Sequence, residues 1–389
     1  MRRLIFIVLG FAFLYSCDFT EEEKDNAFIL KGQLERAENI AMSLEELTPQ
    51  DLEPLDSIYT NSEGKFAYRQ ELDEASFFIL RIDPENRITL LIEPGEVIEI
   101  RGDAKNLLAT ATTDGSVGSE LMLKLNRRLA KSYLKMDSIA DFFRESIYSP
   151  DYDKIRDEVV SKYSEIFQEQ RDFNKQFVEE NSKSLSSIIA LNQYLGDRHL
   201  LTMSNHLDYF EKVRSDLSGI YPENKHVNDL NRQISVFKRR SYQRQSVEEQ
   251  LAPGNIAPEV LMSDHEGNPV SLSSLEGKVV LIDFWASWCD LCREYNQKYK
   301  TIYEQYSKKG FEIYSISLDK DKYLWLNAIE EDDTDWIHVS DQRFMNSPAA
   351  GLYNVDGVPH NILIDRNRKI IAKKINPEQL EGFLKELLP

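Results

Sequence analysis

Cysteine is nearly absent from this chain, with three in 389 residues, at positions 17, 289 and 292. So small a number excludes the disulfide-dense scaffolds of small secreted domains. A tetrahedral zinc site is left two ligands short, because the single Cys-x-x-Cys has no second cysteine pair and His199, His206 and His226 lack paired ligand spacing. No metal is expected. Positive charge is also in deficit, with 47 Lys and Arg against 66 Asp and Glu and a formal net charge of -19. Such a surface repels phosphate, which excludes nucleic acid and an anionic membrane surface as main partners. A long apolar run is lacking at the N-terminus too, since Leu4 to Tyr15 falls short of the roughly 20 residues that span a bilayer. What remains is 41% apolar over a length greater than one core usually organises, so two or three domains are expected.

The N-terminus combines a basic cap, Met1-Arg2-Arg3, with that apolar run and the closing tetrapeptide Leu14-Tyr15-Ser16-Cys17. The tetrapeptide resembles a bacterial lipobox, which implies that residues 1–16 are a signal peptide and that Cys17 is lipidated and becomes the mature N-terminus. The alternative is an ordinary signal peptide with an incidental cysteine. Residues 17–27 read as an acidic tether, with Asp18 and Glu21-Glu22-Glu23. The tether is similar to the export signals of surface-exposed Bacteroidota lipoproteins, and equally to a solvated linker. If acylation consumes Cys17, then Cys289 and Cys292 can pair only with each other or with a partner.

Residues 28–115 read as short strands separated by turn signals at Gly64, Asp83-Pro84 and Pro94-Gly95, which predicts a small antiparallel sandwich. The stretch from "DSIYTNSEGKFAY" to "LLIEPGEVIEIRGD" resembles the β-rich domain of unknown function that precedes thioredoxin-like domains in Bacteroidota lipoproteins. From 116 to 250 the period becomes helical, with Leu121, Leu125, Leu129 and then Ile155, Val159, Tyr163, Phe167. These stripes are expected to be core, and the three histidines of this region to be surface or capping residues.

Residues 251–389 carry the chemistry. "KVVLIDFWAS" is an apolar run of strand length, as in a central strand covered on both faces, and it ends at Trp288-Cys289. A helical pattern closed by Gly310 follows, so Cys289 lies at a helix N-terminus, where free N–H groups and the helix dipole favour a thiolate. Cys292 lies one turn on, at a spacing that permits a disulfide. A structural disulfide would stabilise little across so short a loop, which favours redox chemistry. Asp283 is the one charge in the apolar strand. Buried, it should titrate high and accept a proton; as a strand-end residue it would reach water.

From "GNIAPEVLMSDHEGNPVSLSSLEGKVVLIDFWASWCDLC" through "GLYNVDGVPHNILIDRNRKIIAKKI" the sequence resembles the extracytoplasmic ResA/TlpA-type thiol-disulfide oxidoreductases of the thioredoxin superfamily. That resemblance implies a thioredoxin-like α/β domain in a multidomain α+β chain. It makes Cys289 the nucleophile and Cys292 the resolving cysteine; at the position of Asp283 thioredoxin itself holds a buried acid that accepts the proton, whereas many ResA-type proteins have Asn there. Trp288, Val358 and Pro359, the last in the family's cis-proline loop, would hold an extended substrate. No cofactor is implied beyond the Cys289–Cys292 redox pair. The partners implied are client proteins with disulfides, an envelope electron donor and the membrane, through a lipid on Cys17. The location implied is the cell envelope, on the periplasmic side of a membrane or its outer surface. Three departures stand against the pattern: Asp290-Leu291 between the cysteines lacks the usual proline, Tyr295 replaces a glutamate, and Gln297 replaces a helix-kinking proline. A binding scaffold and a peroxiredoxin-like peroxidase are the alternatives, the latter opposed by the absence of an upstream proline before "FWASWC". Asp290 and Asp283 near the pair, with no cation between the cysteines, predict a reducing couple; Arg293 and His360 are the cations that the fold could bring near.

Overall fold

The computed structural model describes residues 26–389, so Cys17 and most of the acidic tether lie outside the described residues. The described residues divide into two compact units, the first ending at Phe237 and the second Lys238–Pro389.

In the first unit the strands are β1 (Ala27–Glu35), β2 (Ala41–Leu47), β3 (Leu52–Tyr59), β4 (Lys65–Glu71), β5 (Ser76–Arg81), β6 (Arg87–Ile92), β7 (Val97–Asp103) and β8 (Thr112–Asp114). They form two four-stranded sheets, β4-β1-β7-β8 and β3-β2-β5-β6. Alternate residues Phe28 and Leu30, Phe78 and Leu80, and Ile98 and Ile100 face one shared core, as a period of two requires. Each such side chain, fully buried, contributes roughly 1.5–3 kcal/mol. The expectation of a purely antiparallel sandwich needs one correction: β1 and β7 pair in parallel, with Ile29 opposite Val97. Between them the chain crosses to build all four strands of the other sheet, and a crossover of that kind is what a parallel pair needs. Gly32 permits this pairing, since a Cβ there would sit 1.8 Å from the carbonyl oxygen of Ile100. Pro54 is tolerated because β3 lies at a sheet edge.

The helices are α1 (Leu107–Thr110), α2 (Val117–Glu145), α3 (Tyr152–Asn181), α4 (Ser186–Leu191), α5 (Met203–Ile220) and α6 (Lys225–Gln250), with a small hairpin of β9 (Tyr194–Leu195) and β10 (Arg198–His199). The segment 116–250, expected as a region of its own, shares a core with the strands: Phe77 and Leu91 pack with Met122, Phe177, Val213 and Val227. Phe77 and Phe78 alternate, so this sheet is covered on both faces. The segment's last residues, from Lys238, belong to the second unit. His226 also departs from expectation. It lies on the inner face of α6 with Val227, Leu230 and Ile234, buried edge-on against Phe77. Burial pushes its pKa down to about 4.

The second unit contains β11 (Leu261–Ser263), β12 (Pro269–Ser271), β13 (Val279–Trp285), α7 (Asp290–Tyr306), β14 (Phe311–Ser317), α8 (Lys322–Asp332), β15 (Ile337–Ser340), α9 (Pro348–Leu352), β16 (His360–Ile364), β17 (Ile370–Lys373) and α10 (Pro377–Leu387). Five strands form a mixed sheet ordered β15-β14-β13-β16-β17. β13 is central, parallel to β14 and antiparallel to β16, and buried along its whole length. Val279 and Leu281 point to the side of Tyr299 and Ile302 on α7, while Val280, Ile282 and Phe284 point to the opposite core. Among the described residues no helix is long and apolar enough to cross a membrane.

Candidate active site

The central strand delivers the chain to the site. β13 ends at Trp285, a short turn follows, and Cys289 is the N-cap of α7. Cys289 and Cys292 are joined in a disulfide, with Cα atoms 5.2 Å apart. The backbone N–H of Cys292 donates to Sγ of Cys289 at 3.1 Å, which is the capping bond of the helix. The two cysteines differ in access, 8% exposed for Cys289 and 1% for Cys292. Cys289 is the more accessible of the two. Trp288, 54% exposed, and Leu291, also exposed, stand beside the pair as apolar surface.

The turn is fixed from outside by a residue that sequence reading missed. The buried carboxylate of Asp319 accepts from Ser287 N–H at 3.0 Å, from Ser287 Oγ at 2.7 Å and from Ser317 Oγ at 2.8 Å. A further bond, from Leu318 N–H to the Trp285 carbonyl at 2.9 Å, ties the same two chain ends. The only sequence signal was an aspartate two residues after a buried strand. Trp288 packs against Phe344 with ring centroids 5.7 Å apart, and Lys320 Nζ sits 5.1 Å above that ring.

The Val358–Pro359 peptide bond is cis. Val358 packs against the cluster of Trp285, Ala286, Cys289, Cys292 and Trp325, so this loop adjoins the disulfide. Pro359 lines a cavity of about 230 Å³ together with Tyr295, His360 and Asn361. The residues singled out in the sequence, Cys289, Cys292, Trp288, Val358 and Pro359, are therefore gathered at one end of the sheet.

Asp283 lies beneath them. It shares the α7-facing side of β13 with Leu281 and with Trp285, which packs on both cysteines. Its carboxylate is fully buried and has one weak donor, Ser315 Oγ at 3.5 Å. Burial pushes its pKa up to about 7, with Ser315 opposing the shift. Opposite Asp283 on β16 is Asn361, whose amide donates to Tyr299 Oη at 3.0 Å. Burial, and then the nearby Asp283 carboxylate, hold the Tyr299 phenol protonated. The site is thus backed by a polar layer inside an apolar sheet.

Neither candidate cation offsets the acids. Arg293 donates from Nε to Asp332 at 2.7 Å and forms a second ion pair with Glu331 at 3.0 Å, which commits it to α8. His360 is buried against Phe284, and burial pushes it down to about 4, so it is neutral at neutral pH. Tyr295 packs on Tyr299 at the cavity wall, while Glu294 pairs with Lys298 on the exposed side. With Gln297 in place of proline, α7 runs unbroken from Asp290 to Tyr306.

A disulfide at the head of the helix that follows a central strand, with a cis-proline loop beside it, defines a dithiol–disulfide exchange site of the thioredoxin class. Residues 252–387 match the Redoxin family, and residues 28–122 match the Domain of unknown function (DUF4369), which reaches into the start of α2. A thiol-disulfide oxidoreductase ResA of Bacillus cereus is 31% identical over 144 residues, covering 36% of this chain and 82% of that protein. ResA of Oceanobacillus iheyensis is 30% identical over 143 residues, covering 35% of this chain and 73% of that protein. Among solved structures, the thioredoxin domain of a thiol-disulfide oxidoreductase from Bacteroides vulgatus is 36% identical, with a TM-score of 0.34, covering 36% of this chain and 99% of that one. A thiol-disulfide oxidoreductase from Bacteroides fragilis is 37% identical, with a TM-score of 0.33, covering 34% and 100%. The chain belongs to the ResA/TlpA-type thioredoxin-like thiol-disulfide oxidoreductases, and it carries a DUF4369 domain ahead of its catalytic domain.

Proposed function

We propose that the chain is an envelope oxidoreductase, lipid-anchored through Cys17, that reduces or reshuffles the disulfides of client proteins. The observation that carries the reading is the asymmetry of the redox pair: Cys289 is the accessible sulfur at the helix head and Cys292 is enclosed behind it. Once the pair is reduced, the helix N-terminus stabilises a Cys289 thiolate, which attacks one sulfur of a client disulfide and expels the other as a client thiolate. Cys292 then gives its proton to the Asp283 carboxylate and attacks Cys289 Sγ. The second client thiolate leaves, and the Cys289–Cys292 disulfide is restored. Two electrons have passed to the client, and an envelope thiol donor must return them. Trp288, Val358 and Pro359 hold the client chain across the pair. The extracytoplasmic location is supported by the lipobox-like "LYSC" and by the resemblance to ResA proteins.

Trapping tests this. In a Cys292→Ala chain the mixed disulfide formed at Cys289 has no resolving thiol, so clients should accumulate as adducts that dithiothreitol releases. A Cys289→Ala chain should trap none. Adducts from Cys289→Ala alone would reverse the roles of the cysteines, equal yields from the two variants would remove the distinction between them, and no adducts from either would favour the scaffold reading.

A further inference from the structure

The first unit holds a cleft whose charge opposes that of the chain. It has a volume of about 550 Å³ and lies along one face of α2, bordered by β8 and by Phe173 of α3. Leu123, Lys124, Arg127, Arg128 and Lys131 recur at intervals of three and four, which places them on one side of the helix. Four cations line the cleft against two carboxylates, Asp114 and Glu120, in a chain of net charge -19.

Two of these cations are not neutralised. Arg127 donates from Nε to the Leu108 carbonyl at 2.7 Å and from Nη2 to that of Ala111, so it is oriented by carbonyls and not by a carboxylate. Lys131 is exposed and forms no ion pair among the described residues. The other two are occupied. Lys124 reaches Glu180 at 3.8 Å; Arg128 lies over Phe173 and pairs with Glu169 at 3.6 Å. Like charges one turn apart on a helix repel, and Lys131 has no contact in the fold that offsets this among the described residues.

The floor supplies a second, independent observation. Leu123, Ala111 and Phe173 make it apolar, yet it includes Thr113, which is 2% exposed and whose hydroxyl has no hydrogen-bond partner. Buried hydroxyls are nearly always bonded, so an unpartnered one beside the cleft is unusual. Pockets of a few hundred Å³ that are mainly apolar, with a few convergent polar groups, are the usual form of a small-molecule site.

We propose that this cleft binds a small amphipathic carboxylate, its anionic head between Arg127 and Lys131 and its apolar body over Leu123 and Phe173. The charge selects the anion, and the apolar floor selects against a bare inorganic ion. The site lies wholly within the first unit and does not depend on the redox reading.

Isothermal titration of the full chain with decanoate, decanamide and inorganic phosphate tests it. Decanoate should bind at least tenfold more tightly than either of the others. Lys131→Glu should weaken decanoate at least tenfold, and Lys131→Gln by less, while the rate at which dithiothreitol reduces Cys289–Cys292 stays unchanged. Lys131 is exposed, so neither variant removes a core contact. Equal binding of decanoate and decanamide would overturn the role of charge. Phosphate binding as tightly as decanoate would overturn the role of the apolar floor, and decanoate binding unaffected by Lys131→Glu would place the ligand elsewhere.

Discussion

Asp283 is a lone carboxylate in a strand whose seven residues are all buried. Its pKa in the folded chain is about 7 against a reference of 3.8. Between those values the folded chain holds a proton that the unfolded chain has released, so stability falls as pH rises through the window and stays lower above it. At about 1.36 kcal/mol per unit the full effect is roughly 4 kcal/mol. Asp283→Asn removes that cost. Urea unfolding of the oxidised protein should find the variant more stable by a few kcal/mol at about pH 8, with the advantage gone at about pH 4. The same substitution should slow resolution of the mixed disulfide near neutral pH while sparing its formation, as followed by rapid-quench alkylation. Identical resolution rates from about pH 6 to 9 would leave Asp283 without a part in proton transfer. Sequence reading reached this residue because a charge in an apolar strand is conspicuous. Its surroundings were not readable, since Ser315, Tyr299 and Asn361 come from three other elements.

At the scale of elements, the decisive piece is the turn between β13 and α7. Its cysteines sit one helical turn apart, and that spacing was plain in the sequence. The clamp that holds the turn was not, because Asp319 lies 32 residues beyond Ser287. Asp319→Ala would strand two hydroxyls and one backbone N–H inside the fold, at roughly 1–3 kcal/mol for each buried group left unpaired. Thermal unfolding should therefore show a large loss, and dithiothreitol should reduce Cys289–Cys292 at a changed rate, since the turn that presents it is loosened. Asp319→Asn keeps an acceptor oxygen and should recover part of both. A melting temperature unchanged by Asp319→Ala would remove the clamp from the account. The strand order of the first unit was equally out of reach: hairpin-like spacing suggests neighbours in sequence, whereas β1 pairs with β7.

For the whole molecule, the balance of charge around the disulfide shifts its redox potential. Asp290 and Asp283 are near the pair, Arg293 is bound to two carboxylates on α8, and His360 is neutral. With only the helix dipole and the Cys292 N–H to set against the two acids, the couple should be reducing, nearer to thioredoxin at about -270 mV than to DsbA at about -120 mV. Redox titration in dithiothreitol buffers with thiol quantification measures it. A potential more positive than about -180 mV, that of protein disulfide isomerase, would make the protein an oxidant. The anchor is tested at the same scale. Replacing Cys17 with Ser should move the chain from membranes to the soluble fraction, and an unchanged distribution would remove the lipid from the proposal.

Local spacing was enough for the strand that ends at the cysteines and the helix that starts on them, composition for the scarcity of other thiols, and the G-V-P loop was legible only through the resemblance to the family. That strand and helix depend on residues within a few positions of one another, where period and end signals act. Which distant groups meet was settled by the packing. It placed Asp319 under the turn, Asn361 and Tyr299 beside Asp283, and Arg293 on Asp332, and it buried His226 against Phe77. Burial and charge pairing arise between segments far apart in the chain, which no local pattern records. A side chain's environment, and with it its pKa, exists only once the sheet and its helices have packed.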